Sequence, residues 1–201
     1  MRRLSLVLTL ASLVGAAPAV LADSIPYANA GTPAPSVTLV AGSTGDITGY
    51  FLGQSAADDS VIRMVNVTTG VTGDYFFPNH STAVGSSVVF GSAKAGDVLV
   101  FELLDQYSGV TYSTEASANP DGVNHGYAAN FAGGVLGSET YPAGTYIGFE
   151  DTAWFDYDYN DNQFLFSNVG VAPTPEPGSL ILLGTGMLGI AGVVRRKMFA
   201  N

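Results

Sequence analysis

The stretch Asp97-Val98-Leu99-Val100-Phe101-Glu102-Leu103-Leu104 is the strongest indication of the fold. The four residues from Val98 to Phe101 are all apolar, so the alternation typical of a half-exposed strand is missing here. A strand with apolar residues at consecutive positions is covered by protein on both faces. The stretch therefore predicts a central strand, enclosed between other layers of the same domain.

The sequence on both sides of this stretch contains further elements of the same type. Short runs rich in Val, Ile, Thr, Tyr and Phe are separated by Gly, Asp, Asn and Ser, as in strands joined by turns. No segment between residues 37 and 170 sustains the apolar period of a helix for three turns. We therefore predict an all-β chain in which residues 37–169 form one β-sandwich or jelly-roll domain. The other predicted strands are Val37–Ala41, Ile47–Leu52, Val61–Thr68, Ser86–Gly91, Val110–Ser113, Phe131–Leu136, Thr145–Glu150 and Gln163–Asn168.

The N-terminal residues have the three parts of a secretory signal peptide. Two arginines precede an apolar stretch at residues 4–14, and Val20-Leu21-Ala22 follows as a cleavage site. Cleavage after this tripeptide assigns residues 1–22 to the signal peptide; cleavage after Ala19 is the alternative. Residues 23–36 contain three prolines among small residues, which predicts an extended linker.

The C-terminal residues consist of three unlike segments. Residues 170–179 are Pro-rich and predict a second linker, residues 180–194 carry no charge and predict a transmembrane helix, and residues 195–201 begin with three basic residues. Basic residues behind an apolar helix stay in the cytoplasm, so the body is expected in the periplasm. A helix of 15 residues rises about 22 Å, and a hydrocarbon core is about 30 Å thick. We expect a marginal anchor that is held in the membrane only transiently.

The order of these segments resembles the PEP-CTERM sorting signal of Gram-negative bacteria. The tripeptide Pro175-Glu176-Pro177 precedes the apolar stretch, and Arg195 and Arg196 begin the basic end. The resemblance covers roughly residues 173–198 and implies an exosortase that recognises the tripeptide and processes the tail. It also implies delivery to the cell surface or to an exopolysaccharide matrix. An ordinary tail anchor behind a Pro-rich linker is the alternative.

The charge and the cysteine count exclude several classes of function. Two basic residues, Arg63 and Lys94, stand against 17 acidic ones between residues 23 and 177, which leaves a net charge of −15 there. Such a charge disfavours nucleic acid and anionic lipid as partners and favours divalent cations. The chain has no cysteine, which excludes thiol catalysis, disulfides and cysteine-ligated metals.

Five carboxylates and one amide form the outstanding cluster of the sequence, with no Lys or Arg among them. Like charges crowded in this way need protons or a cation to offset them, and Ca²⁺ prefers carboxylate, amide and carbonyl oxygens. The spacing from Asp156 resembles the start of an EF-hand loop, but its sixth position is Asp161 and its twelfth is Ser167. We therefore predict a calcium loop of another type, with a hydrated acidic hairpin as the alternative. The predicted ligands are Glu150, Asp151, Asp156, Asp158, Asn160 and Asp161.

A second element, Asn119-Pro120-Asp121-Gly122-Val123-Asn124-His125, contains two turn signals and ends in a histidine. With Gly148-Phe149-Glu150-Asp151 and the segment 156–161, it resembles a domain of unknown function that recurs in bacterial surface proteins. The resemblance covers roughly residues 95–170 and implies calcium at the six predicted ligands. We expect His125 to hydrogen-bond a carboxylate and help to position the acidic loop, or to be a ligand of another metal; a lone histidine beside a turn is more often structural.

Motifs of catalysis are weak in this sequence. It has no G-x-S-x-G elbow, no phosphate-binding Gly loop that ends in Lys and no H-E-x-x-H. We therefore expect a non-enzymatic surface or matrix protein, and calcium is expected to stabilise it and to bridge to acidic exopolysaccharide. The alternative is a carbohydrate- or partner-binding adhesion module whose exposed platform consists of Trp154, Tyr157 and Tyr159.

Overall fold

A computed structural model of the chain describes residues 25–152 and 156–172, and this part is all-β. Its single helical element is a 3-10 turn at Ala116–Ala118. The all-β prediction is therefore confirmed. The strands are β1 (Leu39–Ala41), β2 (Gly45–Gln54), β3 (Ser60–Asn66), β4 (Val71–Thr72), β5 (Ser87–Ala93), β6 (Val98–Asp105), β7 (Thr111–Ser113), β8 (Gly126–Phe131), β9 (Gly134–Leu136), β10 (Glu139–Tyr141), β11 (Gly144–Phe149), β12 (Asn162–Ser167) and β13 (Val169–Val171).

The strands form two larger antiparallel sheets and one small hairpin. The first sheet has the order β13-β1-β6-β3-β4, with β7 also paired to β6. The second has the order β5-β2-β12-β11-β8, and β9 pairs with β10 separately. β6 thus lies inside its sheet, as the opening stretch predicted. Leu99 and Phe101 are buried on one of its faces, whereas Val98 and Val100 are only half-buried on the other, so the expected full cover of both faces is wrong.

The two larger sheets share one hydrophobic core. Alternate residues of each strand point inward, and the rings of Phe101 in the first sheet and Phe166 in the second are 3.9 Å apart. Phe51 and Phe164 extend this aromatic layer within the second sheet at 5.8 Å. Fully burying a side chain of this size contributes about 1.5–3 kcal/mol, so the shared core holds the sheets together.

Several elements differ from the sequence-based prediction. Gly170 and Val171, placed at the start of the second linker, belong to the strand Val169–Val171, and the next backbone N–H donates to the Thr38 carbonyl oxygen at 2.8 Å. Gly126–Phe131 forms a six-residue strand that the prediction missed. The predicted strand Phe131–Leu136 is divided between β8 and β9, because Gly133 adopts a positive φ of 87° and turns the chain.

The N-terminal segment that we predicted as a linker has no strand or helix from residue 25 to residue 38, yet it packs on the domain. Tyr27 lies with its ring 4.9 Å from that of Tyr127 and 5.2 Å from that of Tyr159. The Gly31 N–H donates to the Asp156 carbonyl oxygen at 2.9 Å. We call residues 25–38 the N-terminal strap, since they connect the acidic loop to the start of β1.

The predicted signal peptide at residues 1–22 and the predicted helix at residues 180–194 lie outside the described residues. Within residues 25–152 and 156–172, no helix has the length and apolar character needed to cross a membrane.

Candidate metal-binding site

The acidic residues predicted from the sequence lie in the connection between two neighbouring strands. β11 ends at Phe149, β12 begins at Asn162, and these two residues are paired across the ladder. The connection, residues 150–161, therefore closes a hairpin at one end of the second sheet. Strands flank it on both sides, whereas helices flank an EF-hand loop, which agrees with the exclusion of an EF-hand.

Three carboxylates of this connection are close enough to share one metal ion. Glu150, Asp156 and Asp158 each offer an oxygen, and these oxygens all lie within 4.8 Å of one another. Ligand oxygens lie about 2.4 Å from Ca²⁺, so two on opposite sides of the ion are about 4.8 Å apart. The three side chains thus match the span of one calcium coordination sphere. We call this group the outer position, since Asp156 is exposed to solvent.

Glu150 is the buried member of the outer position, with 1% of its surface exposed. The Tyr159 backbone N–H donates to its Oε1 at 2.5 Å. Burial, with the charges of Asp161 and Asp158 added, raises the pKa of Glu150 from 4.5 to about 8 despite this hydrogen bond. Burial and the nearby Asp156 also raise the pKa of Asp158. A bound cation would offset the cost of ionising these groups.

A second pair of carboxylates lies beside the outer position. The Asp151 backbone N–H donates to Asp161 Oδ2 at 3.2 Å, and Asp151 is 3% exposed. Its own Oδ2 is buried without a hydrogen-bond partner. Burial, followed by the charges of Asp161 and Asp58, raises the pKa of Asp151. Burial likewise raises the pKa of Asp161, although hydrogen bonds from Asp151 act in the opposite direction. Ionising both members of the pair at once is therefore costly.

One cleft connects the two groups. It has a volume of about 570 Å³ and is lined by Glu150 and Asp156 from the outer position and by Asp151 and Asp161 from the second pair. The five predicted carboxylate ligands thus all lie at or beside one opening.

The two basic side chains of the described part of the chain lie elsewhere. Arg63 in β3 pairs with Glu102 at 2.7 Å. Lys94 follows β5, whose last residue, Ala93, pairs with Gly45 at the start of β2. This end of the second sheet is opposite to the acidic connection. The carboxylates therefore lack a Lys or Arg counter-ion among the described residues, and a divalent cation would be the natural substitute.

Asn160, the sixth predicted ligand, anchors the connection. Its carbonyl oxygen accepts from Gln163 Nε2 at 3.0 Å, its Oδ1 accepts from the Ser55 hydroxyl, and its Nδ2 donates to Asp158. The Asp161 carbonyl oxygen also accepts from the Ser55 backbone N–H at 3.1 Å. These bonds tie the acidic connection to the β2–β3 connection, so both loops are positioned together.

Tyr159 packs the connection against the rest of the domain. Its side chain is 1% exposed; the hydroxyl accepts from the Ala34 N–H at 2.7 Å and donates to the Asn124 carbonyl oxygen at 2.9 Å. Tyr157 and Tyr159 both have positive φ values, 56° and 58°, which non-glycine residues adopt at a cost. Gly148 makes this path possible, because a Cβ there would overlap the Tyr159 carbonyl oxygen.

His125 braces the start of the acidic connection. Its Nε2 lies 3.0 Å from Asp121 Oδ2, its Nδ1 lies 3.2 Å from the Glu150 carbonyl oxygen, and its ring stacks on Tyr112 at 4.1 Å. The Glu150 N–H donates back to the His125 carbonyl oxygen at 3.0 Å. The expectation that His125 bonds a carboxylate and positions the loop is confirmed. Both ring nitrogens face acceptors, so both bonds form when both nitrogens carry protons.

The aromatic platform considered in the sequence analysis is not formed as a set. Tyr159 is buried, so it is unavailable to an exposed platform, because its hydroxyl is bonded inside the domain. Tyr157 is half-buried, and Trp154 lies outside the described residues. The packing of Tyr159 instead holds the acidic loop against the domain.

Several residues that build the site were not predicted. Ser55 is a single polar residue in a loop, where no motif distinguishes it, and Asn124 lies in the predicted turn element without a role assigned to it. His80 lies with Nδ1 2.8 Å from Asp59 and Nε2 3.1 Å from the Ala56 carbonyl oxygen. The strap offered one signal, since Tyr27 is a large aromatic side chain in a segment otherwise rich in Pro and small residues.

Comparison with known proteins identifies the tail and leaves the body without a match. No curated protein matches the chain. The match to a family model does not extend into residues 95–170, whose resemblance to a bacterial surface domain stays a prediction. Residues 173–197 match the PEP-CTERM protein-sorting motif. The motif supports export of the protein, transient anchoring in the membrane and processing by an exosortase. The chain therefore carries the sorting signal of an exosortase substrate.

Proposed function

We propose that this exported chain is a non-enzymatic surface protein whose acidic connection binds Ca²⁺ and is stabilised by it. The observation that carries the proposal is the outer position: Glu150, Asp156 and Asp158 place oxygens within 4.8 Å of one another without a basic residue to offset them. The shared core of two antiparallel sheets supports a β-sandwich or jelly-roll body. Calcium would thus act on the hairpin that closes one end of this body.

The proposed cellular role follows from two features: the sorting tail, and the ligand positions that the outer position would leave unfilled on a bound Ca²⁺. The body is held on the periplasmic side of the inner membrane until an exosortase processes residues 173–197, and it then reaches the cell surface or the exopolysaccharide matrix. Ca²⁺ takes six to eight oxygens, and three carboxylates leave ligand positions for other groups. Since Asp156 is exposed, carboxylates of an acidic exopolysaccharide are suited to fill these positions.

Thermal unfolding of the purified full-length protein in detergent tests the calcium site. If the site has a dissociation constant of about 0.1 mM, binding stabilises the folded protein by about 2.7 kcal/mol at about 10 mM Ca²⁺. For a domain of this size the gain raises the melting temperature by about 5–10 °C. We expect this rise in the wild type and its loss in Asp158→Asn. The matched control Asp74→Asn, at an exposed residue, should keep the rise.

The magnesium salt at equal concentration separates site binding from general screening of charge. A rise with Ca²⁺ that Mg²⁺ reproduces fully, or that Asp158→Asn retains, would contradict a site at the outer position. An unchanged melting temperature in the wild type would contradict the calcium proposal as a whole.

The proposed location is tested by replacing the tripeptide Pro175-Glu176-Pro177 with three alanines. We expect the altered chain to remain in the inner-membrane fraction of cells, because the processing enzyme no longer recognises it. The unaltered chain should appear at the surface or in the matrix with the tail removed, which mass spectrometry of the C-terminal peptide detects. Equal distribution of both chains would contradict the proposed sorting.

A further inference from the structure

A set of buried polar atoms lacks partners within the described residues. These atoms are Gln54 Oε1, Ser60 Oγ, Asp151 Oδ2 and both polar atoms of the Asn162 amide. Asn162 is fully buried, and Ser60 and Asp151 are nearly so. A buried polar group that is left unpaired costs about 1–3 kcal/mol, so a group of this size calls for a ligand or for bound water.

The strand register places these residues at one end of the core. Gln54, the last residue of β2, is directly opposite Asn162, the first residue of β12, and Asn162 is opposite Phe149. Asp151 follows Phe149 by two residues. Ser60 begins β3 in the other sheet, and the connection of residues 55–59 joins it to Gln54. The set therefore lies where this connection passes from one sheet to the other.

The side chains of the set also face inward. Asn162 precedes Phe164 by two residues, and Ser60 precedes Ile62 by two residues; Phe164 and Ile62 both belong to the shared core. Residues two apart on a strand share a face, so Asn162 and Ser60 point between the sheets. The unpaired atoms thus form a polar layer between the hydrophobic core and the acidic connection above it.

The chemistry of this layer favours a cation over water alone. Four of the five unpaired atoms are oxygens, and one belongs to a carboxylate. The neighbouring carboxylate of Asp161 adds a second negative charge at the same cleft. Ca²⁺ binds carboxylate and amide oxygens together and would offset the negative charge of this pair, which a neutral water cannot do. The Nδ2 group of Asn162 remains available to donate to a water that completes the coordination.

We propose a second calcium position, the inner position, formed by Asp151 Oδ2, the Asp161 carboxylate and Asn162 Oδ1. Asp151 and Asp161 line the same cleft as Glu150 and Asp156 of the outer position, whereas Asn162 is fully buried and lies outside the lining of the cleft. This inference rests on the proposed function, because it assumes that the connection binds calcium. It adds a second ion, held beneath the first and closer to the core between the sheets.

Counting the bound ions tests the inner position. Equilibrium dialysis of the full-length protein in detergent against radioactive Ca²⁺ should give two ions per chain. Asp151→Asn keeps the shape of the side chain and removes its charge, so the count should fall to one. Asp158→Asn should also reduce the count to one by removing the outer ion. The control Asp74→Asn should keep both ions.

Terbium luminescence of the wild type gives a second measurement that needs no variant. Decay rates in H₂O and D₂O report how many waters remain on bound Tb³⁺, and the inner ion should retain fewer than the outer one. Two decay components in the wild type support the inner position. A single component overturns it.

The outcomes separate the two proposals. One calcium per chain in both the wild type and Asp151→Asn overturns the inner position and leaves the outer one intact. A wild-type count of zero overturns the proposed calcium function together with the inner position. Two ions in Asp151→Asn overturn the assignment of the second ion to these residues.

Discussion

Replacing Glu150 by Gln should make the calcium-free protein more stable at high pH and should abolish its response to calcium. Gln has nearly the same shape as Glu, and its Oε1 can still accept from the Tyr159 N–H. The substitution therefore removes the charge of Glu150 while it keeps the hydrogen bond. If Glu150 only packed the loop, any substitution there would lower the stability of the protein. A gain in stability therefore indicates a carboxylate whose ionisation is costly in the folded state.

The size of the gain follows from the pKa of Glu150. Its native pKa of about 8 compares with an ordinary value of 4.5, so between these values the native state binds more protons than the unfolded chain. The free energy of unfolding therefore falls as the pH rises from 4.5 to 8. Each pKa unit corresponds to about 1.4 kcal/mol, which gives an upper limit of about 5 kcal/mol. Because water in the cleft screens the charge, we expect Glu150→Gln to gain about 2–4 kcal/mol in unfolding free energy at high pH.

The assay is urea unfolding of the wild type, Glu150→Gln and the control Glu139→Gln, each in EDTA at pH 5 and at pH 9. Glu139 is exposed on β10, so its substitution removes an equal charge outside the cleft. We expect the wild type and Glu139→Gln to lose stability between pH 5 and pH 9, whereas Glu150→Gln loses less. At pH 9, 10 mM Ca²⁺ should restore the stability of the wild type and of Glu139→Gln, whose cleft is intact, but not that of Glu150→Gln. Equal pH dependence of all three proteins in EDTA would refute the reasoning.

Further predictions concern the packing beneath the site. Tyr159→Phe leaves the Ala34 N–H and the Asn124 carbonyl oxygen without a partner and should cost about 1–3 kcal/mol in urea unfolding, with faster hydrogen exchange in the strap. Gly148→Ala places a Cβ on the Tyr159 carbonyl oxygen, so it should lower the melting temperature and weaken calcium binding together; an unchanged affinity would contradict the close approach. Phe101→Ala should cost about 3–5 kcal/mol with calcium affinity unchanged, because it opens a cavity in the shared core, away from the cleft.

The strands that the sequence predicted well are those with β-branched and apolar residues in short runs. The stretch from Asp97 to Leu104 corresponds to the strand Val98–Asp105, one residue further on. The missed strand Gly126–Phe131 reads Gly-Tyr-Ala-Ala-Asn-Phe and contains no Val, Ile or Thr. This segment is extended because it pairs with β11 over six residues, and pairing and packing against a neighbouring strand outweigh its low local propensity.

The sequence predicted which residue types form the candidate site, but not how its five carboxylates separate into two groups. Crowded carboxylates without basic partners indicated a cation, and five of them lie at or beside one cleft. Spacing along the chain cannot show that Glu150, Asp156 and Asp158 form one group while Asp151 and Asp161 form a second pair. That division depends on the turn of the backbone at Tyr157 and Tyr159, where positive φ values redirect the side chains. A positive φ at tyrosine has no signal in the sequence.

The short distance between the domain and the sorting tail links the two parts of the proposed function. The last described strand pairs with β1, and the Ala172 N–H donates to the Thr38 carbonyl oxygen, so the domain extends to residue 172. Eight positions separate Ala172 from Leu180, a span of at most about 29 Å.

While the tail holds the chain at the membrane, the strongly acidic body would therefore stay within a few nanometres of the bilayer. Bound calcium would lower the repulsion between the acidic connection and anionic lipid over such a distance, and removal of the tail would free the body to meet acidic polysaccharide.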